Sequence, residues 1–169
     1  MVRKQILIAL GMSAAMAVCL IVAARTLGHG DAAPVETAER LALAARWLLV
    51  PALCLLAGVG LTANQRFLRA DAIDGGPAAG PGLLEVNLRY NQNTLEQTVL
   101  AAIAWTGLAL ALPARDLGLI PALAGLFAAG RAAFFAGYLY APWARAFGLG
   151  LTFYPTIAAL VWLAARAFA

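Results

Sequence analysis

The sequence predicts an all-α integral membrane protein, and two observations carry that class. Its residues are 63% hydrophobic and 12% charged, where soluble domains carry about 25% charged residues. The apolar residues are gathered into five long stretches separated by glycine, proline and charge, and about 20 apolar residues suffice for one spanning helix. A net charge of +4 and a pI near 9.6 do not indicate nucleic acid. The basic residues stand singly between the spans, with no basic face or run. They read as helix-end anchors and topology signals in a lipid bilayer.

The first element follows Arg3 and Lys4. Gln5–Ala24 is a run of 20 residues without a charge, longer than the roughly 7–15 residues of a signal-peptide core. Its length favours a retained helix, while Ala32-Ala33 before Pro34 offers a cleavage point. Residues 1–26 are therefore an N-terminal transmembrane helix or a signal-like segment. A connector, 27–42, contains Gly28, Gly30 and Pro34. Within Glu36–Arg46 the Ala, Glu, Arg and Leu residues already favour helix.

Residues 43–169 supply four more spans. Trp47–Gln65 is uncharged, with Pro51 in its first turns as a candidate kink. Arg66–Glu85 is polar and is broken at Asp74-Gly75-Gly76-Pro77 and Gly80-Pro81-Gly82. The third span runs from about Leu84 to Leu112 and is stopped by Pro113, with Arg115 and Asp116 in a tight turn. Leu117–Ala144 follows, its single charge being Arg131, and Gly137 and Pro142 interrupt its far end. Ala146–Ala165 completes the set, closed by Arg166. With the N-terminus inside, Arg3, Lys4, Arg66, Arg69, Arg89 and Arg145 lie on one side and Arg25, Arg40, Arg46, Arg115 and Arg166 on the other. Six against five is a weak vote for that orientation. The expected location is a cell membrane, of the bacterial inner-membrane kind.

Cys19 and Cys54 stand alone in apolar spans, and His29 has no second ligand candidate beside it, so no metal site is expected. The chemistry concentrates elsewhere. Arg89, Asn93 and Glu96 sit at i, i+4 and i+7 and share one face of the third span. Glu96 lies roughly 10 Å along the axis from Arg89 at about 1.5 Å per residue, a depth at which a carboxylate needs a partner. Arg131, Tyr138 and Arg145 are spaced by sevens, which on a straight helix drifts only about 20° per step. The third and fourth spans run antiparallel, so both sets come to the same half of the bilayer. One arrangement is a buried Glu96–Arg131 pair with Asn93 joining helices. The other is a site for an anionic ligand, which the excess of guanidiniums favours. A transporter would want a polar path through both halves, and here the polar residues crowd one.

On Arg89-x-x-x-Asn93-x-x-Glu96 and Arg131-x6-Tyr138-x6-Arg145, the sequence resembles the MAPEG family, the membrane-associated proteins of eicosanoid and glutathione metabolism. The spacings are similar to those of the glutathione-binding helices in its leukotriene C synthase and microsomal glutathione transferase members. Arg69 fits the basic end of the family's first helix. The resemblance covers about residues 43–166 and implies a four-helix MAPEG-like bundle assembled as a homotrimer, with the N-terminal helix as an addition. It further implies glutathione as co-substrate, held by Arg69, Arg89, Asn93, Glu96, Arg131 and Tyr138. Arg145 would face the thiol as the catalytic residue, and Tyr154 and Phe153 are candidates to line the site of a lipophilic acceptor. Gln92 and Phe134 depart from family members that carry a basic residue and a histidine or other aromatic there. The implied activity is a glutathione-dependent transferase or peroxidase acting on a lipophilic electrophile. A non-catalytic lipid-binding scaffold on the same fold is the alternative.

Overall fold

A computed structural model describes residues 2–28, 35–69, 72–75 and 82–169. His29, the Ala32-Ala33-Pro34 cleavage point, and most of the Gly/Pro breakers between 76 and 81 lie outside the described residues. Among those described, five helices form and no strand: α1 (Val2–Thr26), α2 (Thr37–Phe67), α3 (Leu83–Ala111), α4 (Leu119–Tyr140) and α5 (Ala146–Ala167). A 3-10 turn, Ala114–Asp116, joins α3 to α4. All five helical segments are long and apolar enough to cross a membrane.

The second span begins earlier than Trp47, because α2 absorbs the helix-forming stretch of the connector. Its start carries a capping box: Glu36 caps the backbone of Glu39, and the Glu39 carboxylate accepts the Glu36 N–H at 3.3 Å. The helix then runs through Pro51 without ending. Thirty-one residues make a rod of about 46 Å at 1.5 Å per residue, longer than the roughly 30 Å hydrocarbon core. The excess length leaves room for the charged turns at its ends to lie beyond that core. In the first turn Arg40 donates from Nη1 to the carbonyls of Ala109 and Leu112, both at 2.8 Å. These are carbonyls that the end of α3 leaves without helical partners, so Arg40 works as a C-terminal cap supplied from another helix.

The bundle is built from two close pairs, α2 with α3 and α4 with α5, with α1 laid on the outside of α5. Small residues set the close approaches, as membrane helices require when no hydrophobic effect drives them together. A Cβ on Gly130 of α4 would stand 3.0 Å from the Gly148 carbonyl oxygen, and one on Gly148 would overlap the backbone of Phe134. Between α2 and α3, Gly58 lies under Tyr90 and Asn91. The same seam is pinned by Tyr90 Oη donating to the Cys54 carbonyl at 3.2 Å and Asn91 Nδ2 donating to Thr62 Oγ1 at 2.9 Å.

Helix α1 runs parallel to α5. Gly11 lies against Ala146 and Phe147, Ala15 against Gly150, and Cys19 Sγ donates weakly to the Leu151 carbonyl at 3.9 Å. Its far end is tied to the α3–α4 turn by the Gly28 N–H, which donates to Asp116 Oδ1 at 2.6 Å.

One boundary differs from expectation in a way that matters for the site. Helix α4 stops at Tyr140 rather than Ala144, because Ala141 is extended (φ −164°, ψ 146°). It precedes Pro142, and a proline disfavours the helical region for the residue before it. Arg145 is consequently not on the face of α4 at all; it is the N-cap residue of α5.

Candidate functional site

The site is best built outward from Arg131, which sits in the middle of α4 and is 1% exposed. Its Nη1 donates to Asn93 Oδ1 of α3 at 2.7 Å, and Nη2 donates to Thr152 Oγ1 of α5 at 2.8 Å. A longer bond of 3.4 Å reaches the Gly148 carbonyl, while Nε has no acceptor among the described residues. The guanidinium lies 4.8 Å from the Phe134 ring centroid and 5.6 Å from that of Phe127. No carboxylate pairs with it among the described residues. Hydrogen-bonded oxygens and aromatic faces ease the burial of a cation, but they leave its charge uncancelled.

The other groups of this half continue the same stack. Arg145 comes up from the start of α5 with its guanidinium 4.8 Å from the Tyr138 ring and 5.9 Å from that of Phe134. The Phe134 and Tyr138 rings are 6.1 Å apart. Phe134 therefore contacts both cations, Arg131 from within and Arg145 from the rim. Both Tyr138 and Arg145 are half-buried, open enough to be reached and sheltered enough for the Arg145 charge to count. The heptad spacing of Arg131, Tyr138 and Arg145 does bring them together, though the last member arrives by the turn at Pro142 and not along a straight helix.

The carboxylate behaves otherwise. Glu96 is exposed, and its Oε1 accepts a 2.8 Å bond from Gln92 Nε2 one turn back. The buried Glu96–Arg131 pair does not form within the chain. The reason is rotational: α3 turns Asn87, Tyr90, Thr94 and Gln97 inward, and Asn93 flanks that stripe, whereas Glu96 lies about 60° further round at 100° per residue. Arg89 is also on the outer side, where its Nη2 lies 2.9 Å from Glu85 Oε1. Arg69 is in the turn after α2 and exposed, its N–H donating to the Arg66 carbonyl at 3.1 Å. Asn93, Arg131, Tyr138 and Arg145 are thus brought together; Arg89 stands at their edge, close enough for its charge to act on Tyr138, Glu96 points away, and Arg69 stays in the turn after α2.

Two residues that the sequence reading passed over complete the inner set. Thr152 and Gly148 are what hold Arg131 from the α5 side. A lone threonine one turn past a glycine is the only signal they give, and it is common in membrane helices. Tyr154 faces a separate cavity in the other half of the membrane, and Phe153 does not line it.

Fold and site together define a helical membrane protein with a cluster of uncancelled guanidiniums in one half of the bilayer. The sequence model of the MAPEG family matches residues 6–165, nearly the whole chain. The chain belongs to the MAPEG family, whose members act in glutathione and eicosanoid metabolism and generally use glutathione. The match begins inside α1, so the matched stretch takes in all five helices. No curated protein and no solved structure matches the chain.

Proposed function

We propose that this protein is a glutathione-dependent transferase or peroxidase of the membrane, acting on a lipophilic electrophile. The observation that carries the reading is the pair of cations, Arg131 and Arg145, sharing the Phe134 ring with no carboxylate beside either among the described residues. In a low-dielectric setting such a pair attracts an anion strongly. Glutathione offers carboxylates and, once deprotonated, a thiolate.

Each residue then has a part. Arg145, at the rim, favours the thiolate by its permanent charge, and Tyr138 offers a hydroxyl beside it. Arg131 is sealed behind Phe134, so it acts by its charge and by fixing Asn93. The thiol proton leaves to solvent. In transfer, the thiolate sulfur forms a bond to the electrophilic carbon and the displaced group leaves with the bonding pair, or the oxygen of an opened ring keeps that pair and takes a proton from solvent. In peroxide reduction, the thiolate attacks the outer oxygen, and the O–O bond breaks with its pair going to the alcohol oxygen, which takes a proton. A second glutathione thiol then converts the sulfenic acid to disulfide and water. Holding the two reactants together at the membrane supplies the proximity gain.

Arg69, Arg89, Gln92 and Glu96 belong to this reading through a second copy. An exposed carboxylate in α3, nearly two turns past Arg89 towards the membrane interior, is costly against lipid. The same α3 surface continues through exposed Val99 and Ile103, polar near the α2–α3 loop and apolar deeper in, a pattern suited to a subunit contact. In a homotrimer, that face would meet the Tyr138–Arg145 rim of a neighbour and hold the charged ends of glutathione between them.

The test is a glutathione titration of the detergent-solubilised protein, followed by ultraviolet thiolate absorbance. A thiolate signal in the parent that disappears in Arg145→Ala, with binding retained, is expected. Absence of both binding and thiolate in the parent overturns the reading. Binding with no thiolate converts it to the scaffold.

A further inference from the structure

In the half of the membrane opposite Arg145, a cavity of about 840 Å³ opens between the C-terminal halves of α1 and α5 and the α3–α4 turn. Its walls are apolar, with Leu20, Leu108, Leu123 and Ile157 among them and Tyr154 towards the membrane centre. Leu20 is 62% and Ile157 41% exposed, so the cavity opens sideways to lipid between α1 and α5. The size is that of a ligand site, for which about 300–1,000 Å³ is usual.

The mouth has a different chemistry. Arg115 and Arg166 both line it, and the Arg166 guanidinium lies 5.1 Å from the Trp162 ring. One acid, Asp116, also lines it. Its Oδ1 is taken by the Gly28 N–H, and its Oδ2 stands 4.0 Å from Arg115 Nε. Two arginines against one carboxylate leave the mouth positive. A tryptophan with arginines at a helix end marks the level of the lipid headgroups. An apolar chamber with a cationic mouth at that level matches an amphiphile with an acyl tail and an anionic head.

We propose that this cavity holds one acyl chain of an anionic phospholipid, with its phosphate on Arg115 and Arg166. The lipid fills the space between α1 and α5 below the Asp116–Gly28 tie and so joins α1 to the bundle. The site is separate from the guanidinium cluster: Arg145 and Arg166 are 21 residues apart on α5, about 31 Å at 1.5 Å per residue.

The experiment is native mass spectrometry of the full chain after delipidation in mild detergent. Dioleoyl phosphatidylglycerol and dioleoyl phosphatidylcholine are titrated in parallel. One tightly retained phosphatidylglycerol per chain is expected, with a preference that falls roughly five-fold for each arginine removed in Arg115→Ala and Arg166→Ala. Leu20→Trp, at the lipid-facing opening, is expected to reduce retention while the thermal stability of the delipidated protein stays near the delipidated parent's value. Equal retention of the two lipids by the parent overturns the proposal. So does a preference undiminished in the double arginine variant, or full competition by glycerol phosphate, which has the head without the tail. Glutathione binding by the arginine variants is expected to be unchanged, keeping this result apart from the reading of the other site.

Discussion

Arg131 shows at the scale of one residue how a membrane interior handles a charge it does not neutralise. Asn93 and Thr152 spread the charge over two oxygens, and Phe127 and Phe134 present their ring faces. Thr152→Val keeps the shape and removes one acceptor. Interhelical hydrogen bonds in membrane proteins average about 0.6 and reach about 1.7 kcal/mol, so a stability loss in that range is expected, measured by unfolding in mixed micelles. At the rim, Arg145→Lys preserves charge but loses the flat stacking on Tyr138. It is expected to keep part of the thiolate signal that Arg145→Ala abolishes. Charged residues in an apolar run are conspicuous, which is why Arg131 and Arg145 were legible in the sequence. Glu96 is equally conspicuous, yet spacing and depth leave open whether it pairs with Arg131 or forms part of a ligand site. Rotation about α3 decided it, and rotation depends on which face the whole helix buries.

Between elements, the α4–α5 pair is held by backbone approach more than by side chains. Gly148 stands against the backbone of Phe134 and also supplies a carbonyl to Arg131. Gly148→Leu is expected to push the helices apart at a cost of about 1–3 kcal/mol for overpacking. The displaced carbonyl should weaken glutathione binding in the same variant; unfolding and binding measured together would show both losses. Such glycines are hard to pick out beforehand, since Gly is frequent in membrane helices. The five spans themselves were plain from composition. Their ends were less so: the α4 terminus moved back to Tyr140 because the backbone effect of Pro142 falls on Ala141, and α2 reached forward to Thr37 through its capping box.

For the molecule as a whole, the parallel course of α1 and α5 puts Lys4, the α2–α3 loop and Arg145 on one side of the membrane. Cysteines introduced at Lys4 and Asp74 should therefore react with an impermeant maleimide from the same side, and one introduced at Arg115 from the other. The proposed homotrimer makes a further prediction. Removing the polar outer face of α3 with Glu96→Leu should weaken glutathione binding more than assembly, read by native mass with and without ligand, since the apolar part of the contact remains. The sequence made the number of spans and the crowding of polar residues into one half legible. It held no sign of the cavity beside α1, because Leu, Ala and Ile lining a hollow are indistinguishable in sequence from the same residues filling one.

The acceptors of Arg131 also bear on how the chain enters the bilayer. Asn93 emerges from the ribosome before Arg131, but Gly148 and Thr152 emerge after it. Until α5 has been made, an arginine near the middle of α4 faces an insertion penalty of about 2.5–3.5 kcal/mol with two of its three hydrogen-bond partners still unsynthesised. The turn at Pro142 is short, so α4 and α5 can fold against each other as a hairpin before either is committed to lipid. A chain truncated ahead of Gly148 should leave α4 partly uninserted, while one extending past Thr152 should place both helices together.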